Sequence, residues 1–164
     1  MVYLLALLIG VVAGLRSMTA PAAVSWAARL GWLHLENTWL AFLGFSATPY
    51  ILSVLALAEL IADKLPKTPS RKAPVGFIAR LVSGALCGAA LGATIQPRSA
   101  GVSPASSLIG GLLAGVVGAV LGTLGGYEFR ARLVRASGGK NLSIALLEDA
   151  IAIGGAILIV SRFA

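Results

Sequence analysis

Hydrophobic residues along this chain come in long unbroken runs, and polar residues collect in the short stretches between them. The runs cover about residues 2–15, 17–32, 39–62, 75–95, 106–127 and 142–160. Each of the last four holds roughly 19–24 residues, enough to cross a bilayer core of about 30 Å as a helix. They lack the period-two alternation of barrel strands. Small residues after the first run, Ser17-Met18-Thr19-Ala20, resemble a signal-peptide end, but Met1-Val2-Tyr3 has no basic character, so a retained span is expected. The run over 17–32 contains Pro21, Trp26 and Arg29 and would reach only about 24 Å as a helix. It reads as a half-span, a re-entrant segment or a short tilted crossing. The expected fold is an all-α, polytopic transmembrane helix bundle, one domain over residues 1–164. It has five spans plus this short segment, or six if the segment crosses.

Composition supports that class. Of 164 residues, 58% are hydrophobic and only 12% charged, about half the usual charged fraction. Mean hydropathy is +0.93. A soluble domain needs more polar surface, and disorder needs far more charge. The net charge of +7 does not imply nucleic acid, because the basic residues sit in short loops between apolar runs. Loop 63–74 carries Lys64, Lys67, Arg71 and Lys72, loop 128–141 carries Arg130, Arg132, Arg135 and Lys140, and loop 96–105 carries only Arg98. The positive-inside rule puts the two basic loops in the cytoplasm and the C-terminus outside. Five crossings place the N-terminus inside; six place it outside, with Arg16 at the cytoplasmic face. The single cysteine, Cys87, permits no internal disulfide, and the single histidine, His34, has no metal-ligating cluster beside it in sequence, so no metal and no cofactor is implied.

Glycine spacing adds packing information. Gly84, Gly88 and Gly92 recur at intervals of four, as do Gly110, Ala114, Gly118, Gly122 and Gly126, and Gly10 with Gly14. Such stripes let helix backbones approach closely in lipid, within one protomer or between protomers. A repeat relation is a further expectation. Gly10 and Gly14 match Gly118 and Gly122, and Glu59-Leu60-Ile61-Ala62 matches Asp149-Ala150-Ile151-Ala152. With five crossings the paired segments run oppositely, the inverted-repeat plan of many transporters. Chance similarity of apolar sequences is the other explanation.

Charges inside apolar runs are costly and usually face a partner or a water-filled cavity. The candidates are Glu59, Asp63, Arg80, Glu148 and Asp149, all expected in the cytoplasmic half. Acids outnumber the base, so one or two carboxylates would change protonation or hold a cation. The alternative is a structural ion-pair network with Arg80 shared by Glu59 and Glu148. In Arg16-Ser17-Met18-Thr19-Ala20-Pro21, Ser17 or Thr19 is placed to cap a helix with Pro21 in its first turn. Arg16 beside that helix start would contact an anion or a lipid headgroup. Lys67, Arg71 and Lys72 lie in a proline-containing loop suited to anionic headgroups. Residues 128–135 have the period of an interfacial amphipathic helix.

Two stretches, Gly14-Leu15-Arg16-Ser17-Met18-Thr19-Ala20-Pro21 and Glu59-Leu60-Ile61-Ala62-Asp63-Lys64-Leu65-Pro66, resemble a bacterial membrane family, domain-of-unknown-function family 4126. The resemblance implies a small multipass protein of the bacterial inner membrane and supplies no activity. The leading expectation is therefore a small transporter or channel for an unidentified solute or ion, coupled to a cation or proton through the interior carboxylates, and expected as a homodimer because one protomer can hardly enclose a wide pathway. The other is a structural or accessory membrane protein that assembles through its glycine faces. An enzyme is not expected, because no catalytic set of recognised spacing occurs.

Overall fold

The computed structural model describes residues 1–64, 74–95, 103–136 and 141–164. Among them the chain forms six α-helices: α1 Val2–Leu15, α2 Thr19–Arg29, α3 Thr48–Ala62, α4 Pro74–Ala93, α5 Pro104–Ala136 and α6 Asn141–Val160. A 3-10 helix, Trp39–Gly44, precedes α3, and another, Ser161–Phe163, follows α6. No strand occurs among the described residues.

Local chemistry sets the boundaries. Helix α1 ends where Arg16 turns extended, at φ −142° and ψ 109°. Helix α2 tolerates Pro21 because a first-turn residue has no intrahelical N–H partner to lose. It stops at a Schellman turn. Gly31 adopts φ +78°, the Gly31 N–H donates to Ala28 O, and the Trp32 N–H donates to Ala27 O at 2.9 Å. The left-handed conformation is one that a side chain would disfavour.

The expected single span over 39–62 is corrected. Proline has no amide proton and strains a helix through it, so α3 begins at Thr48 with Pro49 in its first turn. The preceding apolar residues form the separate 3-10 helix, capped by the Thr38 side chain. The separate amphipathic helix over 128–135 is also corrected: these residues continue α5, which runs unbroken for 33 residues. An Arg132–Glu128 pair at 3.0 Å, one turn apart, braces the extension.

Three helices are long and apolar enough to cross a membrane, Pro74–Ala93, Pro104–Arg135 and Ser143–Phe163, while Val2–Leu15 and Thr48–Ala62 are shorter apolar helices. At 14 and 15 residues, those two reach about 21 and 22 Å.

Helices α1, α4 and α5 form the centre. Their glycines meet backbone to backbone. A Cβ on Gly84 would fall 2.7 Å from Ala119 Cβ, one on Gly88 would strike Gly111 O, and one on Gly92 would strike Ser107 O. On another face of α5, Gly118 and Gly122 press on the backbone of Leu7 and Val11 of α1. Gly10 meets Gly115, and Gly14 meets Ala119. The Thr123 hydroxyl adds a bond to Gly14 O at 3.2 Å. Such close approach maximises dispersion contact where no hydrophobic drive acts between helices.

This register also fixes direction. Helix α1 runs parallel to α5, and α4 runs antiparallel to both. Helix α6 is antiparallel to α1, since Asp149 pairs with Arg16 and Gly155 lies against Val12. Helix α3 is antiparallel to α2, through Ser17–Glu59 at one end and Trp26–Ser53 further along. The six helices therefore alternate in direction, which brings the starts of α1 and α5 and the end of α4 to one end of the bundle, and the ends of α1, α3 and α5 and the starts of α4 and α6 to the other. The inverted-repeat expectation is corrected here, because it requires the runs at 2–15 and 106–127 to oppose each other, and α1 and α5 run the same way.

Candidate functional site

The end of α1 stops well short of the end of α5. Gly14 packs at residues 119–123 of α5, and α5 continues on the order of 20 Å beyond that level. Arg16, just beyond the end of α1, is enclosed by protein, with 0% exposure. The expectation that it meets a headgroup is replaced: its Nη1 pairs with Asp63 Oδ2 and its Nη2 with Asp149 Oδ1. One buried guanidinium joins the α1–α2 break, the end of α3 and the first half of α6. Lys64 Nζ closes the set, 2.7 Å from Asp149 Oδ2 and 2.9 Å from Leu60 O.

Glu59 lies beside this cluster and is held differently. Its Oε1 accepts from the Ser17 N–H and the Ser17 hydroxyl, both at 2.8 Å, and its Oε2 accepts from the Met18 N–H at 2.8 Å. Neither Ser17 nor Thr19 caps α2. Met18 is the cap residue, with no side-chain bond, and the orphan amides are satisfied by a carboxylate from another helix. Negative charge at a helix start is favourable, so α2 draws Glu59 in. The inner cluster then holds two cations, Arg16 and Lys64, and three carboxylates, of which Glu59 is bonded by neutral donors.

The remaining candidates sit around it. Asp149 and Glu148 are both buried. Arg130 Nη1 stands 3.8 Å from Glu148 Oε2, a weak pair across α5 and α6. Arg80 is buried on α4, with its guanidinium lying toward Gly76. The sharing of Arg80 with Glu59 is not found; Glu59 takes its bonds from Ser17 and Met18. Lys67, Arg71 and Lys72 lie outside the described residues. Gly84, Gly88, Gly92, Gly118 and Gly122 lie in the helix contacts above. Two contributors escaped sequence reasoning. One is the amide pair of Ser17 and Met18, which no residue-type pattern reveals. The other is the Gly111–Gly115 stripe facing α4, offset by one position from the stripe that faces α1.

At the other end of α2, a cavity of about 280 Å³ is lined by Ala28, Leu33, Leu35, Glu36, Ala41, Gly44 and Phe45. Among the described residues, no group of three His, Cys, Asp or Glu side chains is arranged to hold a metal ion. Within the carboxylate set, Arg16 fills the place a cation would take.

These features define a class: an all-helical protein built like a small integral membrane protein, with a buried charge network at a helix break. The chain belongs to the family described as Domain of unknown function (DUF4126), whose model matches residues 3–162. Neither the curated proteins nor the solved structures compared with it contain a match.

Proposed function

We propose that this protein is a small membrane transporter whose moving element is α3 and whose coupling group is Glu59. The observation that carries this reading is the way α3 is attached. It packs mainly on α2 and the 3-10 helix, buries only Pro49 and Ala56, and is tied to the centre through Glu59, Asp63 and Lys64. Polar ties of this kind can be exchanged for water or a solute far more readily than close backbone packing can. Protonation of Glu59 removes the charge that the Ser17 and Met18 amides hold, and so loosens one of the three ties that fasten α3. Interior carboxylates that change protonation are the usual means of proton coupling in membranes.

Flux in proteoliposomes tests the reading. The native protein is expected to move protons or a cation down an imposed gradient, and Glu59→Gln and Glu148→Gln to lose that flux while remaining folded. Normal flux through Glu59→Gln would sink it. The accessory-protein reading predicts no flux under any gradient and a co-purifying partner. Such assembly, or a homodimer, would use faces other than the glycine stripes at Gly84, Gly88, Gly118 and Gly122, which are filled within the chain. The cytoplasmic placement of the basic loops and the bacterial inner membrane as location belong to the same proposal, and cysteine accessibility in whole cells tests them.

A further inference from the structure

We propose that the α1–α2 break is a binding cradle for a small organic carboxylate, occupied in this structure by the chain's own Glu59. The inference deepens the transport reading, and rests on it only for the withdrawal of α3 that would empty the cradle.

Three donors converge on one carboxylate group: two consecutive amides, Ser17 and Met18, and the Ser17 hydroxyl, each at 2.8 Å. Both carboxylate oxygens are engaged, so the site recognises a flat, two-oxygen anion and not merely negative charge. The flanking residues supply further polar groups that Glu59 does not use. Arg16 Nε, on a fully buried side chain, and Thr19 Oγ1, on a residue 7% exposed, have no hydrogen-bond partner. Unsatisfied buried polar groups are costly, and here two of them belong to the residues immediately before and after the amide pair that holds the anion. Charge limits the choice of ligand. Arg16 and Lys64 face Asp63 and Asp149 in the same cluster, which leaves no cationic surplus for a dianion once Glu59 has left. The ligand class is therefore a monocarboxylate small enough to replace the end of a glutamate side chain.

Chemical rescue tests this in detergent, with sodium acetate as the probe and sodium chloride at equal ionic strength as the control. Glu59→Ala empties the cradle. Acetate is expected to raise its melting temperature saturably by about 5 °C, and chloride is expected not to. Adding Ser17→Ala should weaken the apparent acetate affinity about tenfold. Should Glu59→Ala fail to fold, Glu59→Asp decides. Its carboxylate is one methylene short of the amides, and acetate should stabilise it by a smaller, still saturable shift. A folded variant with no acetate-specific shift overturns the proposal. The outcomes separate from those of transport: acetate rescue without flux leaves the cradle standing and removes the transporter, whereas Glu59-dependent flux without rescue does the reverse.

Discussion

The centre of this bundle and its helix α3 are held by opposite means. Helices α1, α4 and α5 touch through glycine backbones, with no room for a single added carbon at Gly88, Gly115 or Gly118. Helix α3 leaves Tyr50, Ile51, Val54, Leu55, Leu57 and Ile61 exposed and reaches the centre through charged and hydrogen-bonded side chains at its end. Dispersion contact is lost outright when helices separate. An ion pair can find water, a proton or another ion instead. The comparison teaches that close packing fixes one part of a small membrane protein while polar ties leave another part able to move.

Substitutions that separate the two kinds of attachment are expected to fall in order. Gly118→Leu should be the most damaging. Its Cβ would already strike Leu7 O and lie 2.9 Å from Val11 N, so α1 must leave α5. A loss of more than about 4 kcal/mol is expected, read as failure to purify as a monodisperse species or a collapsed melting temperature. Arg16→Met comes next. It strands Asp63 opposite an uncharged side chain and leaves Asp149 with Lys64 alone, at a cost of about 3–5 kcal/mol, and thermal melting should show Arg16→Lys to be milder. Glu59→Gln should cost only about 1–2 kcal/mol by the same measurement, yet raise proteolytic cleavage near α3 while the centre stays protected. Ser53→Ala removes the acceptor of the Trp26 Nε1–H bond at 3.0 Å, and about 1 kcal/mol is expected. Gly154→Ala should change least. An added Cβ there meets nothing within 4 Å, so the shift should stay within about 0.5 kcal/mol. A large effect at Gly154 with a small one at Gly118 would break the comparison.

The helical class, the glycine spacing and the gathering of interior acids were legible in the sequence, because each follows from residue type and period. What sequence could not supply was relative height. Arg16 stands at the end of an apolar run, and in one dimension that reads as a residue reaching water. It is buried where the end of α3 and the first half of α6 bring Asp63 and Asp149 against it, a fact that depends on which helices pair. The split of 39–62 was nearer to hand, since Pro49 was visible; the error was to let hydropathy outweigh proline. Glu59 was found as an interior acid, but its partners are main-chain amides, which carry no letter in a sequence. The second glycine stripe on α5 was hidden for a related reason: one helix that packs on two neighbours needs two stripes, and a single period was sought.

The parallel pairing of α1 with α5 also sets an order of events during synthesis. Helix α1 is made before the backbone it fits against, which follows about a hundred residues later, and before Asp149, which follows later still. At ordinary translation rates that interval is on the order of ten seconds. During that time the only acidic partner from the finished network that Arg16 can meet is Asp63, 47 residues downstream. The arginine therefore has a first, provisional partner and a later second one. On that order of synthesis, the ion pair that ties α3 to the rest of the protein would serve first as a nascent-chain clasp, keeping a charged residue satisfied until α6 arrives.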